Sequence, residues 1–311
     1  MVLPFVSTLT PLEEGEWVQL LNATMTGETV IPLGQMTQAQ ILRADIAVVA
    51  NPHLSDVLRL KNIKWIQSLW AGVEQLVGQL GPDIPIARLI DPEMARTMAE
   101  SSLAWTYFVT REMHVYASFQ RAHEWRPLPY RHPEGITVGI LGLGALGMAA
   151  GKRLLEAGFN VVGWSTSPKP QASFDAYYGR SGFTSALQRS DVLVCLLPLT
   201  QSTRGLLDRD AFSAMPNGAA VINFARGPIV ATDDLVASLN RGDLRHAVLD
   251  VFDVEPLPKE SPLWDHPKIT ILPHIAGPTN MRTAAAIVAS NIRRYRESGE
   301  MPPVVSSTRG Y

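Results

Sequence analysis

Residues 137–147 read Thr-Val-Gly-Ile-Leu-Gly-Leu-Gly-Ala-Leu-Gly. An apolar run leads into Gly142-x-Gly144-x-x-Gly147, and a helical pattern follows to about Ala157. A strand, a glycine turn and a helix in that order admit few folds. Gly142 permits the tight turn, Gly144 lets an anion approach the backbone, and Gly147 lets helix and strand pack closely. The helix start offers free N–H groups and a positive dipole end to a pyrophosphate. Gly142, Gly144, Ala145, Leu146 and Gly147 are therefore the expected cradle. The alternative, a glycine-rich turn without a ligand, would not need the strand before it and the helix after it.

Five further short apolar runs follow that first strand: Asn160–Trp164, Leu193–Leu197, Ala220–Phe224, His246–Val251 and Thr270–Leu272. Each is bounded by polar, Gly or Pro residues, as buried parallel strands are. Upstream, Leu3–Ser7, Ile46–Ala50 and Ile63–Leu69 alternate with the helical stretches Glu13–Ala23 and Leu54–Leu60, which reads as a smaller parallel α/β unit. A helical pattern runs unbroken from about Ala95 to His123, either as a core helix or as one that links domains or lines a dimer interface. A last helix, Asn280–Ser298, is expected to pack back on the first unit. The expected fold is α/β: two Rossmann-like doubly wound parallel-sheet domains with a cleft between them. Residues 1–99 with 282–311 form the outer, substrate-binding domain, and 100–281 the dinucleotide-binding domain.

At 311 residues the chain is long enough for two domains. Its 27 basic and 29 acidic residues leave a net charge of −2, which gives no bulk attraction for nucleic acid or an anionic membrane. The single cysteine, Cys195, lies in an apolar run and reads as a core residue; no intrachain disulfide can form. The first basic residue is Arg43, so the start resembles neither a secretory signal nor a mitochondrial presequence. A cytoplasmic location and no membrane association are expected.

The end of the second strand of the glycine-turn domain selects the cofactor. A carboxylate there would bond the ribose hydroxyls of NAD and repel a 2′-phosphate. The chain instead has Trp164-Ser165-Thr166-Ser167-Pro168-Lys169. Three hydroxyls and a lysine, Ser165, Thr166, Ser167 and Lys169, favour NADP, with NAD possible. Downstream, Arg226, Glu255 and His274 each follow an apolar strand. Ligands in open α/β sheets bind at the carboxyl ends of strands, so the three converge on one crevice. Together they suit reduction of a 2-oxoacid by hydride from a nicotinamide. His274 would protonate the nascent alkoxide, Glu255 would fix its tautomer, and Arg226 would grip the carboxylate. Any one of them alone would read as a structural histidine or a surface ion pair.

These stretches resemble the D-isomer-specific 2-hydroxyacid dehydrogenase family over nearly the whole chain. They are Gly139–Gly147, Leu196–Leu206, Asn223-Phe224-Ala225-Arg226-Gly227, Leu249–Pro258 and Pro273-His274-Ile275-Ala276-Gly277. The resemblance implies that Asp250 bonds the nicotinamide carboxamide, that Ala225 also binds the cofactor, and that Leu197, Pro198 and Thr203 line the adenosine side. It also makes Trp70-Ala71-Gly72-Val73-Glu74 the substrate loop, with the N–H groups of Ala71 and Gly72 on the carboxylate beside Trp70. Within the family, Trp70, Trp125-Arg126-Pro127-Leu128-Pro129 and Trp164-Ser165 are similar to short bacterial glyoxylate/hydroxypyruvate reductases, although Thr166 stands where that subgroup often has arginine. Trp125 and Trp264 are either pocket caps or packing residues. The implied activity is NADPH-dependent reduction of glyoxylate and hydroxypyruvate by a homodimer. Other expectations are a dehydrogenase of a bulkier 2-oxoacid, phosphoglycerate or formate, or a dinucleotide-sensing protein of this fold without activity.

Overall fold

The computed structural model describes residues 1–80 and 84–306. The chain divides into unit 1, Met1–Glu93 with Thr279–Tyr311, and unit 2, Met94–Pro278. Residues 307–311 of the expected outer domain lie outside the described residues. The chain starts β1 (Val2–Ser7), α1 (Pro11–Thr24), β2 (Thr29–Pro32), α2 (Gln38–Arg43), β3 (Ile46–Ala50), α3 (Leu54–Val57), β4 (Trp65–Ser68), α4 (Glu74–Leu80) and β5 (Ile86–Ala87). Next come α5 (Pro92–Thr110), α6 (Met113–Ala122), β6 (Thr137–Leu141), α7 (Ala145–Glu156), β7 (Asn160–Ser165), β8 (Asp175–Tyr178), α8 (Gly179–Gln188) and β9 (Val192–Cys195). It closes with α9 (Arg209–Ala214), β10 (Ala219–Asn223), α10 (Thr232–Arg241), β11 (Leu244–Leu249), β12 (Ile269–Ile271) and α11 (Met281–Ser298).

Both sheets are parallel throughout. Unit 1 orders its strands β2-β1-β3-β4-β5, and unit 2 orders them β12-β11-β10-β9-β6-β7-β8. Strand order reverses at β1/β3 and at β6/β9, the switch points where such sheets open a crevice at their carboxyl edge. Helices cover both faces, so alternate residues of a strand enter different cores. In β9, Val192 and Val194 join Ile140, Ile222 and Val248, whereas Leu193 and Cys195 join Leu141, Val221 and Leu249. Burial on both faces is why these strands read as unbroken apolar runs. Cys195 is fully buried, and that burial pushes its thiol up to about 12.

α11 belongs to unit 1. Asn280 caps its start by accepting from the N–H groups of Arg282 and Thr283, and Ala284, Ala285, Val288 and Ile292 form its buried stripe. Arg296 ties its last turn to Asp45 through two bonds of 2.7 and 2.8 Å and to Glu28 at 2.7 Å. Among the described residues, no helix is long and apolar enough to cross a membrane.

Two sequence expectations need correction. The helical pattern at 95–123 is two helices, α5 and α6, because Glu112 takes a left-handed conformation with φ +53°. Its carboxylate meets Arg245, far away in β11, at 2.8 Å, a tertiary bond with no local sign. β2, β5 and β8 were not expected as strands. β2 and β5 are the two edges of one sheet and β8 an edge of the other, so they lack the long apolar runs of central strands.

The glycine turn carries β6 into α7. Gly142 has φ +100°, and a Cβ there would lie 2.6 Å from the Leu196 carbonyl oxygen. A Cβ on Gly147 would lie 1.9 Å from the Gly142 carbonyl oxygen, so the first turn of α7 rests directly on the loop. Around Gly144 nothing comes within 4 Å of a Cβ position. Gly147→Ala is therefore expected to cost about 1–3 kcal/mol in urea unfolding by overpacking. Gly144→Ala should stay within about 0.5 kcal/mol of the parent; equal losses for both would refute this packing.

Below the α5–α6 break, the rings of His114 and His246 stack with centroids 3.8 Å apart. The Nε2 of His246 bonds the Thr270 hydroxyl at 2.8 Å, and Glu112 and Arg245 flank the pair. Burial, and then the nearby Arg245 charge, depress His114 to about 4. Burial, His114, Arg245 and His266 depress His246 to about 3. Both rings are neutral in the folded chain while the unfolded chain takes up protons below about pH 6.5. Stability is thus full above pH 6.5 and falls as the pH drops from there towards 4, by up to about 1 kcal/mol per pH unit for each ring. A thermal midpoint that stays flat between pH 6.5 and 5 would contradict the burial of the pair.

Candidate active site

β10 ends at Asn223, which is buried. Its side-chain oxygen accepts the Ala225 N–H at 3.1 Å, and its side-chain nitrogen donates to the Arg226 carbonyl at 3.1 Å. One amide therefore sets the turn that presents Arg226, whose Nη1 donates to the Ala225 carbonyl at 2.7 Å. The next residue must be glycine. A Cβ on Gly227 would stand 2.0 Å from the carbonyl carbon of Phe252 and 2.4 Å from the nitrogen of Asp253. The Arg226 turn thus presses against the loop that follows β11. A link between strands supports it, from the Asp250 N–H to the Asn223 carbonyl at 3.1 Å.

That second loop carries Glu255. Its Oε1 accepts the Phe252 N–H at 2.9 Å, and its Oε2 lies 2.7 Å from Nδ1 of His274. His274 comes from the loop after β12 and is half-exposed. Its φ of +55° is unusual for a residue with a side chain. Three bonds to Asp250 hold it there: the His274 N–H donates to the Asp250 carbonyl at 3.0 Å, and the N–H groups of Ile275 and Ala276 donate to the two carboxylate oxygens at 2.7 and 2.9 Å. Burial raises the Asp250 pKa, while the hydrogen bonds from Ala276 and Ile275 oppose that rise. Arg226, Glu255 and His274, the residues expected at the site, thus stand on three loops joined by direct contacts. A backbone held in a sparsely populated conformation next to titratable groups marks functional sites.

On the nucleotide side, α7 begins without a side-chain cap, so its first N–H groups are open to an anion at the clear space around Gly144. Ala145 and Leu146 form that first turn. Leu197 is buried, and the peptide between Leu196 and Leu197 crosses over Gly142. The hydroxyl of Thr203, also buried, donates to the Pro198 carbonyl at 2.7 Å and accepts the Thr200 N–H at 2.8 Å, which fixes the shape of that loop. At the end of β7 the Ser165 hydroxyl donates to the Ser167 carbonyl, Thr166 and Ser167 are exposed, and Lys169 is half-buried. An open glycine, an uncapped helix start and the absence of a carboxylate after β7 all fit a dinucleotide.

Trp70, Ala71 and Gly72 lie in unit 1 between β4 and α4. The Trp70 N–H donates to the Ser68 hydroxyl at 3.0 Å, and its ring stands edge-on to Trp17 with centroids 5.9 Å apart. Among the described residues, no acceptor takes the N–H groups of Ala71 and Gly72. Trp125 is fully exposed, and Trp264 is half-exposed with its indole N–H on the Pro258 carbonyl at 2.9 Å. Sequence reading missed the parts played by Asn223 and Gly227. The Asn at a strand end and the Arg-Gly pair were visible, but the backbone they meet is known only from the fold.

Comparison with known proteins identifies the family. Residues 103–276 match the family model for the D-isomer specific 2-hydroxyacid dehydrogenase NAD binding domain. The chain is 37% identical over 276 residues to a glyoxylate/hydroxypyruvate reductase A of Serratia proteamaculans (strain 568), covering 86% of this chain and 88% of that one. It superposes with a TM-score of 0.92 on a D-isomer specific 2-hydroxyacid dehydrogenase from Xanthobacter autotrophicus Py2 in complex with NADPH and MES, at 35% identity and covering 100% and 99% of the two chains. An NADPH-dependent glyoxylate/hydroxypyruvate reductase from Sinorhizobium meliloti, in complex with NADP and sulfate, gives 0.92 at 31% identity over the same shares. With the dinucleotide turn, the parallel sheets and the Arg226, Glu255 and His274 loops in one chain, this protein belongs to the D-isomer specific 2-hydroxyacid dehydrogenase family of NAD(P)-dependent oxidoreductases.

Proposed function

We propose that the protein reduces small 2-oxoacids, glyoxylate to glycolate and hydroxypyruvate to glycerate, and prefers NADPH to NADH. The observation that carries the reading is the 2.7 Å contact between His274 Nδ1 and Glu255 Oε2, on a loop pinned by Asp250 and joined to the Arg226 turn. The names of the Serratia and Sinorhizobium relatives support the substrate class, and the NADP and NADPH bound to solved relatives support the cofactor.

In this reading Gly142, Gly144, Ala145, Leu146 and Gly147 take the pyrophosphate, Leu197, Pro198 and Thr203 the adenosine side, and Ala225 and Asp250 the nicotinamide side. A bound reduced nicotinamide supplies a hydride to the keto carbon. His274 then donates a proton from Nε2 to the carbonyl oxygen. Glu255 on Nδ1 holds the ring in orientation and fixes its tautomer. Arg226 offers its guanidinium fork to the substrate carboxylate, and Asp250 keeps His274 in place without touching the reacting atoms. Unit 1 is the substrate domain, and the open N–H groups of Ala71 and Gly72, beside Trp70, form an anion nest suited to a carboxylate. The protein acts as a homodimer. A second copy covers the apolar surface at Tyr116, Phe119 and the fully exposed Trp125, which line a hollow of about 610 Å³.

The test is cofactor oxidation with glyoxylate, hydroxypyruvate, pyruvate, phenylpyruvate and phosphohydroxypyruvate, each with NADPH and NADH. NADPH with the two smallest hydroxylated or aldehydic acids should be fastest. Preference for a bulky or phosphorylated acid would overturn the substrate, and preference for NADH the cofactor. His274→Gln should lower turnover about 10²–10⁴-fold and still bind dinucleotide; near-parental turnover would remove His274 from proton transfer. Light scattering should give twice the chain mass, and a monomer at micromolar concentration would end the dimer proposal.

A further inference from the structure

We propose that Arg180, in the first turn of α8, is the guanidinium that grips the 2′-phosphate of NADPH. The proposal rests on the NADPH preference above and names the residue that confers it.

Thr166 and the engaged Ser165 hydroxyl leave the loop after β7 with one cation of its own, Lys169. The neighbouring strand supplies another. β7 and β8 pair in parallel with Ser165 opposite Tyr178, about 5 Å apart as adjacent strands are. β8 ends there and α8 starts at Gly179. The indole N–H of Trp164 donates to the Gly179 carbonyl at 2.8 Å, clamping the start of α8 to the end of β7. Helical side chains lean towards the helix N-terminus, so a residue in the first turn of α8 is directed back towards the carboxyl edge of the sheet, beside the point where Ser165 leaves β7. The far end of that loop is anchored as well: a Cβ on Gly151 or Gly163 would meet the Phe174 ring at 2.3 or 2.8 Å.

The charges point the same way. Arg180 is exposed, and among the described residues no hydrogen bond or ion pair holds its guanidinium. Asp175 is the one carboxylate between Ser165 and Ser190. It is taken by Arg189 at 2.8 Å, and Arg189 also donates to the Tyr177 hydroxyl at 2.6 Å. Of the two arginines on α8 and its flank, one is neutralised and the other, at the cofactor edge, is not. A guanidinium fork also suits a phosphate better than the point charge of Lys169 does.

The test is calorimetric binding of adenosine 2′,5′-bisphosphate and of AMP, at one low ionic strength, to the parent, Arg180→Gln and Arg180→Lys. The parent should bind the bisphosphate at least tenfold more tightly than AMP. Arg180→Gln should weaken the bisphosphate about tenfold and keep AMP within twofold, and Arg180→Lys should restore part of the loss. If Arg180→Gln binds the bisphosphate like the parent, or loses both ligands equally, Arg180 has no such role. If the parent itself does not distinguish the two ligands, the NADPH preference falls, and the role of Arg180 with it.

Discussion

Asp250 is 2% exposed, and both of its carboxylate oxygens are taken by the backbone N–H groups of Ile275 and Ala276. Its own N–H reaches back to Asn223 and its carbonyl receives the His274 N–H. One residue at the end of β11 therefore links the end of β10 to the loop after β12. A buried carboxylate without donors would be costly. The two N–H groups offset that cost, and in doing so they oblige the chain after β12 to fold back over the sheet edge. The left-handed backbone of His274 follows from that obligation.

Close backbone contacts extend the same order across the sheet edge. Gly227 lets the Arg226 turn touch the Glu255 loop, Gly142 lets the peptide between Leu196 and Leu197 cross the glycine turn, and Gly147 seats α7 on that turn. In each case the missing side chain is what brings two loops within contact distance. Gly144 differs: the space above it is empty, as an approaching phosphate requires. The family is an oxidoreductase family, and in this chain the glycine turn and the loops that carry Arg226, Glu255 and His274 are set by backbone geometry that tolerates little displacement.

Much of this could be read from the chain. The central strands were legible because burial on both faces demands unbroken apolar runs, and Ile46–Ala50 and Thr137–Leu141 were read with the bounds they have. Arg226, Glu255 and His274 were legible because each follows an apolar run; in the fold they lie three, six and three residues beyond the ends of β10, β11 and β12. The edge strands β2, β5 and β8 were not, since an edge needs less apolar surface. The break between α5 and α6 was not, since Arg111 and Glu112 carry no helix-breaking side chain and the left-handed turn is supported by Arg245 in another strand.

The amino-acid sequence by itself determined the strand–turn–helix of the dinucleotide cradle, the alternation of strands and helices that forces parallel sheets, and the identity of the titratable groups. These are local properties, set by glycine conformational freedom and by hydrophobic period. Only the tertiary structure decided which groups meet. It assigned Asp250 to the His274 loop, folded Glu255 onto Nδ1, stacked His114 on His246, and brought the start of α8 beside the end of β7. Those outcomes depend on strand order and on contacts between residues far apart in the chain, which no local pattern specifies.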